Sequence, residues 1–433
     1  MSDTLTIGRP DSSEASLYRK VELRLIPFLF VCYLVAYLDR VNVGFAKLQM
    51  VGELKFSETV YGLGAGLFFI GYFLFEVPSN VILARVGPRR WIARIMISWG
   101  LLSAAMMFVE SATSFYVLRF LLGIAEAGFF PGIILYLTYW FPQDRRGRIV
   151  ALFMTAVGVS GIVGGPVSGW ILAEMSGVQG LSGWKWLFLL EGLPSVLLGI
   201  ATFFYLDDSI VAARWLDPAE KSLLQKRVDH GKPRDARKST IAEVVKDPRV
   251  WLYAGIYFCF VMGLYGVGFW LPNLIKAAGV AKPLDIGLLS AVPYIVGAIA
   301  MVLIGKHSDK TGERHGHLIV LALVGAVGFL ISSLFPDSLV LALGGITVAT
   351  VAILSAVSLS WSLPTAYLSV AAAAAGIAMV NSLGNLAGFV SPYLVGWIKD
   401  ATQSLSGGLY ALAASFVIGA VLVWIDRSLP APS

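Results

Sequence analysis

Charge is what this chain has least of. Of its 433 residues 14% are charged and 57% hydrophobic, with a mean hydropathy of +0.76. A soluble domain carries about 25% charged residues, so one or two soluble cores cannot hide this much apolar sequence. Cysteine is nearly absent: Cys32 and Cys259 both lie in apolar runs, which excludes a structural disulfide framework. Histidine numbers four, His230, His307, His315 and His317, all in polar connections, which argues against a metal site or a histidine relay within the apolar spans. No Ser/His/Asp arrangement, metal-ligand spacing or phosphate-cradling loop occurs, so an enzyme is the least favoured class. The N-terminal segment lacks a small-residue cleavage site after its first apolar run, and no removable signal peptide is expected.

What is present is a series of apolar runs about 20 residues long, the length that crosses roughly 30 Å of hydrocarbon. Hydropathy places twelve spans at 25–45, 59–82, 91–110, 114–138, 148–172, 186–205, 250–275, 285–305, 317–335, 338–361, 368–398 and 408–426. Lys and Arg fix the expected orientation. With the N-terminus inside, 25 of the 33 bases fall on the cytoplasmic side and six outside, leaving Arg40 and Arg119 within the spans. The net charge of +6 is therefore accounted for by topology, with no call for nucleic acid. An all-α polytopic protein of the lipid bilayer is expected, with both termini cytoplasmic. Its organisation reads as a six-helix half (1–205), a polar linker (206–249) and a second half (250–433). Within the linker, Asp217-Pro218-Ala219-Glu220 has the residues of a capping box and predicts a short surface helix.

An echo between the halves supports a duplication. Asn80-Val-Ile-Leu-Ala84-Arg85-Val-Gly87-Pro-Arg89-Arg90 follows the second span, and Gly305-Lys-His-Ser-Asp309-Lys310-Thr-Gly312-Glu-Arg314 follows the eighth. In these residues the chain resembles the major facilitator superfamily, whose cytoplasmic loop signature they carry. Arg85, Gly87, Gly305, Asp309, Gly312 and Arg314 are thereby expected in a cytoplasmic gate loop. The first copy departs from the signature, with Asn80 and Ala84 where glycine and aspartate are usual, which weakens a charge latch there. A narrower resemblance runs through Tyr37-Leu-Asp39-Arg40, Arg119-Phe-Leu-Leu-Gly123-Ile-Ala-Glu126, Tyr136-Leu-Thr-Tyr-Trp140-Phe141-Pro142, Trp184-Lys-Trp186 to Gly192, and Asn381-Ser-Leu-Gly-Asn385. These are similar to the anion:cation symporter family, and most of all to its bacterial tartrate, rhamnonate and aromatic-acid permeases. The resemblance implies proton-coupled uptake of a small organic anion by alternating access, across the inner membrane of a bacterium and without a cofactor. A monomer suffices for that mechanism.

The charges within the spans carry the chemistry. Each costs about 2.5–3.5 kcal/mol at the bilayer centre even on the mildest scale, so they should face protein or water. At 1.5 Å per residue, Asp39 lies about 21 Å from the inner edge of the first span. By the same rise Arg119 is about 7.5 Å and Glu126 about 18 Å from the outer edge. Arg119 and Glu126, seven residues apart, share one helix face. Asp39, Arg40, Arg119 and Glu126 are thus expected around one chamber. There Arg40 and Arg119 would fork a carboxylate, while Asp39 and Glu126 compete for the arginines until protonated. By resemblance, Tyr37 and Tyr72 match positions whose hydroxyls contact substrate and Asn381 a polar contact, with Asn385 one turn on. Tyr33, Tyr265, Trp270, Tyr294 and Trp361 are candidate walls. Glu76 is ambiguous between coupling and packing, and Glu191, Glu110 and Asp285 should be wet. Small residues from Gly158 to Gly169 predict close packing of the fifth span. The substrate reading leans to tartrate or a related hydroxy acid; an aromatic acid, Na⁺ coupling and anion exchange are the alternatives. A receptor or channel lacks the extracellular domain or charge rings it needs.

Overall fold

The structure, a computed structural model, describes residues 12–230, 241–368 and 370–429. Arg9 and the linker bases between 231 and 240 lie outside them. Every regular element among the described residues is helical. In chain order the first crossings are α1 (Ser12–Val41) with α2 (Val43–Leu54), α3 (Glu58–Val86), α4 (Pro88–Ala105), α5 (Ala112–Glu126) with α6 (Phe129–Thr138), α7 (Gln143–Glu174) and α8 (Gly183–Tyr205). The connecting segment holds α9 (Pro218–His230) and α10 (Ile241–Lys246). The remaining crossings are α11 (Pro248–Ala277), α12 (Pro283–Thr311), α13 (His315–Leu334), α14 (Leu339–Ser360) with α15 (Ser362–Tyr367), α16 (Val370–Asn385) with α17 (Ala387–Thr402), and α18 (Ser406–Ser428).

Among the described residues eleven helical stretches are long and apolar enough to cross a membrane. The twelfth passage, expected at 368–398, is α16 and α17, 16 residues each, joined through Leu386 in helical conformation. Successive crossings alternate in direction. They define a basic end, with the connections after α3, α6, α8, α12 and α15, and an opposite end. The capping box of α9 forms as expected: the Asp217 carboxylate accepts from the Glu220 N–H at 2.7 Å, and Glu220 accepts from the Asp217 N–H at 2.9 Å.

Two boundaries differ from expectation. The first span is placed at 25–45 by hydropathy, yet its helical run extends from Ser12 to Leu54 with only Asn42 between the two helices. Its early turns bury Leu17, Tyr18 and Val21 and are held by Glu14–Arg227 and Lys20–Glu220 pairs to α9, so they pack although they are polar. At the other end α2 carries Lys47, expected in an outer connection, into a buried position at 3% exposure.

The first six crossings meet the second six at the opposite end, with α3 along α17, α7 along α12 and α2 against α11. Close approach requires glycine there: a Cβ on Gly287 of α12 would fall 2.3 Å from the Gly165 carbonyl of α7. The small-residue run of the fifth span therefore packs backbone against backbone, as its sequence predicts. Tyr61 donates to the Phe269 carbonyl at 3.1 Å across the same seam. Lys47 and Lys399 both pair with Glu58. The Asp400 carboxylate accepts from the Glu58 N–H at 3.1 Å and the Thr59 N–H at 2.7 Å.

Candidate functional site

Partway along this seam the apolar packing gives way to polar side chains from both sets of crossings. Arg40, near the end of α1, is 7% exposed and forms an ion pair with Glu126, the last residue of α5. Glu126 takes that position because the crossing breaks directly after it: Ala127 is extended and Gly128 has φ +85°. A side chain on Gly128 would be strained and would also meet the Ser79 hydroxyl at 2.4 Å. The Arg40 guanidinium carbon lies 5.3 Å from the Tyr72 ring centre, 5.4 Å from Phe68 and 5.8 Å from Tyr37. An aromatic collar of this size attracts a cation without neutralising it.

From Arg40 the network passes to the other set of crossings. Arg40 Nη1 donates to the Tyr265 hydroxyl of α11 at 3.4 Å, and that hydroxyl donates to Asn385 Oδ1 of α16 at 3.4 Å. Asn385 Nδ2 donates to Asn381 Oδ1 at 3.1 Å. Asn381 and Ser382 then donate to the two oxygens of Glu76, on α3, at 3.3 and 3.1 Å. The chain of contacts leaves the first six crossings at Arg40 and returns to them at Glu76. Tyr37, Tyr72, Arg40, Glu126, Tyr265, Asn381 and Asn385 are therefore brought together as expected, and the ambiguous Glu76 joins them. Ser382 and Phe68 were missed; a serine in a span and one phenylalanine among 25 carry no signal of their own.

Other expected members are elsewhere. Asp39 does not face its neighbour Arg40's partners. Its carboxylate accepts from Trp99 Nε1 and Ser103 Oγ of α4, both at 2.9 Å, and from Ser195 Oγ of α8. Adjacent residues on a helix diverge by about 100°, so shared depth did not mean a shared chamber. Arg119, wholly buried, donates to the Gly64 and Ala65 carbonyls of α3 at 3.4 and 3.1 Å, which fastens α5 to α3. Among the described residues one Arg119 nitrogen and Glu126 Oε2 have no hydrogen-bond partner, so this helix face is not fully satisfied.

Of the candidate walls, Tyr33 stacks on Phe153 at 4.6 Å between ring centres, inside the first six crossings. Trp361 lies against Tyr257 at 4.7 Å. Tyr294 packs on Gly161 of α7. Trp270 belongs to the opposite-end closure, with Lys47 Nζ 3.3 Å from its ring centre. Glu191, expected wet, is 5% exposed and bonded to Ser168 of α7, because α8 packs this face against α7 and the start of α2. Glu110 and Asp285 are exposed as expected.

At the basic end the two loop copies differ. Gly312 (φ +68°) ends α12, and Arg314 pairs with Asp309 within its own copy. Gly305 lies on α12 and Arg85 is exposed on the last turn of α3. Gly87 (φ +96°) ends α3, and the acid its copy lacks is supplied by Asp208, whose carboxylate accepts from the Arg89 N–H at 2.9 Å.

Twelve alternating crossings, with a charged and hydrogen-bonded seam between the first six and the second, define a multi-span membrane transporter. The sequence profile of the Major Facilitator Superfamily matches residues 29–392, and the chain belongs to that family. It is similar to "Putative metabolite transport protein NicT" of Pseudomonas putida, 49% identical over 415 residues and 95% of each chain. A "Putative tartrate transporter" of Agrobacterium vitis is 49% identical over 419 residues and 96% of each chain. "Inner membrane transport protein RhmT" of Escherichia coli is 37% identical over 413 residues and 95% of each chain. Among solved structures, the fold matches a bacterial homologue of the human lysosomal transporter Spinster at a TM-score of 0.76, with 17% identity over 95% of this chain and 97% of that one. It matches a D-xylose–proton symporter at 0.71, with 17% identity over 94% and 97%.

Proposed function

We propose that this transporter is a proton-coupled symporter that carries a small organic anion, tartrate or a related hydroxy acid, inward across a bacterial cytoplasmic membrane by alternating access. The observation that carries the reading is the buried Arg40–Glu126 pair that reaches Tyr265 on the other set of crossings. A guanidinium is the group best suited to fork a carboxylate, and it stays charged in any environment. Glu126 already occupies it. A proton on Glu126 releases Arg40, and an incoming anion then takes the vacated guanidinium. Proton and anion thereby favour each other's binding, and that coupling is reciprocal by linkage.

Tyr37, Tyr72, Asn381 and Asn385 supply hydroxyl and amide groups for a hydroxylated acid, and the names of the tartrate-transporter relatives agree with that choice. Removal of Glu76 from Asn381 and Ser382 would unlock the seam's lower bridge. Glu58, Lys47, Lys399 and Asp400 join the two sets of crossings at the opposite end, and from the distribution of bases we take the basic end to be the cytoplasmic one. Net inward movement of positive charge with a monoanion would be favoured by about 2.3 kcal/mol per charge per 100 mV.

The test is affinity against pH in the purified protein. Tartrate should bind more tightly as pH falls, and this dependence should vanish in Glu126→Gln. An affinity in the wild type that ignores pH would contradict the coupling. Sugar acids, phthalate and hydroxyphenylacetate in the same assay separate the hydroxy-acid reading from an aromatic one.

A further inference from the structure

The substrate seam leaves one pair of buried acids unused. Asp39 of α1 and Glu191 of α8 are 1% and 5% exposed, and neither has a cation within ion-pair distance among the described residues. Their helices bring them into one neighbourhood. Ser195, one turn beyond Glu191 and on the same face of α8, donates to Asp39. Asn42, three residues beyond Asp39 and just past the end of α1, lies against Glu191. Ser168 of α7 donates to Glu191 Oε1 at 2.7 Å. Among the described residues Glu191 Oε2 and the Asn42 amide are buried and have no partner beyond their contact with each other. The other charged groups on helices packed against α8 are engaged or distant. Arg40 turns to Glu126, Lys47 to Glu58, and Glu53 to Ser182 and Trp184. Arg24 at the basic end lies over Tyr205, while Arg90 and Glu174 are exposed; Arg94 lies over Trp91.

Asp39 receives three donors, from Trp99, Ser103 and Ser195. Glu191 receives the Ser168 hydroxyl at hydrogen-bond distance, has only the Asn42 amide beside its other oxygen, and lies near a second acid. Two carboxylates in one apolar site without a cation cannot both ionise cheaply. We propose that Glu191 is a proton-binding site of the transport cycle, outside the substrate seam and coupled through Asp39 to Arg40. The carboxylate takes one proton from water on the side that is open and returns it on the other, with no other bond made or broken. The link to the seam is covalent: Asp39 and Arg40 are neighbours on α1, so a shift of that turn when Arg40 exchanges Glu126 for substrate alters the donors around Asp39 and, with them, the neutrality of Glu191. This site rests on the symport reading and gives that reading its second proton.

The test uses the full chain in proteoliposomes with two readouts. Infrared difference spectra at neutral pH should show the carbonyl band of a protonated carboxyl. The band should disappear in Glu191→Gln, persist in Glu126→Gln, and move in Ser168→Ala, which loses the donor to Oε1. In the second readout, a pH electrode during tartrate uptake, Glu191→Gln should take up one proton fewer per substrate than the wild type while tartrate counterflow stays within about twofold. A band unchanged in Glu191→Gln, or wild-type proton stoichiometry in that variant, overturns the assignment and leaves symport standing. Wild-type uptake indifferent to the pH gradient sinks the symport reading and the coupling role with it. Should Glu191→Gln not fold, a wild-type spectrum without the band, or one unmoved by Ser168→Ala, overturns the proposal.

Discussion

At the scale of single residues, the two buried arginines do different work. Arg40 meets an acid, a tyrosine hydroxyl and an aromatic collar, whereas Arg119 meets backbone carbonyls. Arg40→Lys should therefore weaken tartrate binding at least tenfold with little change in unfolding temperature, because a point charge lacks the fork. Arg119→Lys should lower the thermal unfolding midpoint. An Arg119 variant that is fully stable but blind to substrate would return that residue to the binding site. Much of the seam was legible. Tyr37, Arg40, Tyr72, Glu126, Asn381 and Asn385 follow from charge in an apolar run, helical spacing and a family pattern. Asp39 was misassigned to the chamber because depth along a helix says nothing of azimuth, and its donors Trp99 and Ser103 come from a helix that sequence cannot place beside α1. Glu191 reads as wet from its place near the start of a span, because sequence cannot show that Ser168 of α7 lies against it.

At the scale of elements, breaks and caps place the groups that act. The α5–α6 break at Gly128 puts Glu126 at a helix end facing Arg40. Gly128→Ala should cost function more than most glycine changes, since φ +85° strains any side chain and the Ser79 hydroxyl blocks it. Normal transport by that variant would mean that the break is incidental. No residue pattern announced this break within an apolar run that reads as one span. The α12–α13 turn was legible as a repeat signature, and it carries its own pH dependence. Burial pushes Glu313 toward its neutral form, but the N–H groups of Gly316 and His317 and the His317 ring outweigh it and hold the carboxyl below the ordinary glutamate range. A lowered value contributes stability that is present above the unfolded value of about 4.3 and lost as pH falls below it. Glu313→Ala should cost about 1 kcal/mol, as loss of a helix cap does, and flatten the stability profile on the acid side. Thermal melts between neutral and acid pH measure it.

At the scale of the whole molecule, the alternation of apolar runs and the distribution of bases were enough for twelve crossings, while the relation between the two sets of six was not readable. That relation rests on backbone contact at Gly165–Gly287 and on the charges of Glu58, Lys47, Lys399 and Asp400, residues that look like ordinary loop and helix-end polarity. Glu58→Gln removes the partner of two lysines at once and should favour opening of that end, read as faster thiol labelling of Tyr61→Cys in a background carrying Cys32→Ser and Cys259→Ser. The central claim is that substrate and Glu126 contend for Arg40, with a proton deciding between them. Tartrate uptake into proteoliposomes under an imposed inward proton gradient tests it most directly. The wild type should accumulate tartrate above equilibrium, and Glu126→Gln should exchange tartrate in counterflow yet fail to accumulate it. Gradient-driven accumulation by Glu126→Gln at the wild-type level would contradict the account.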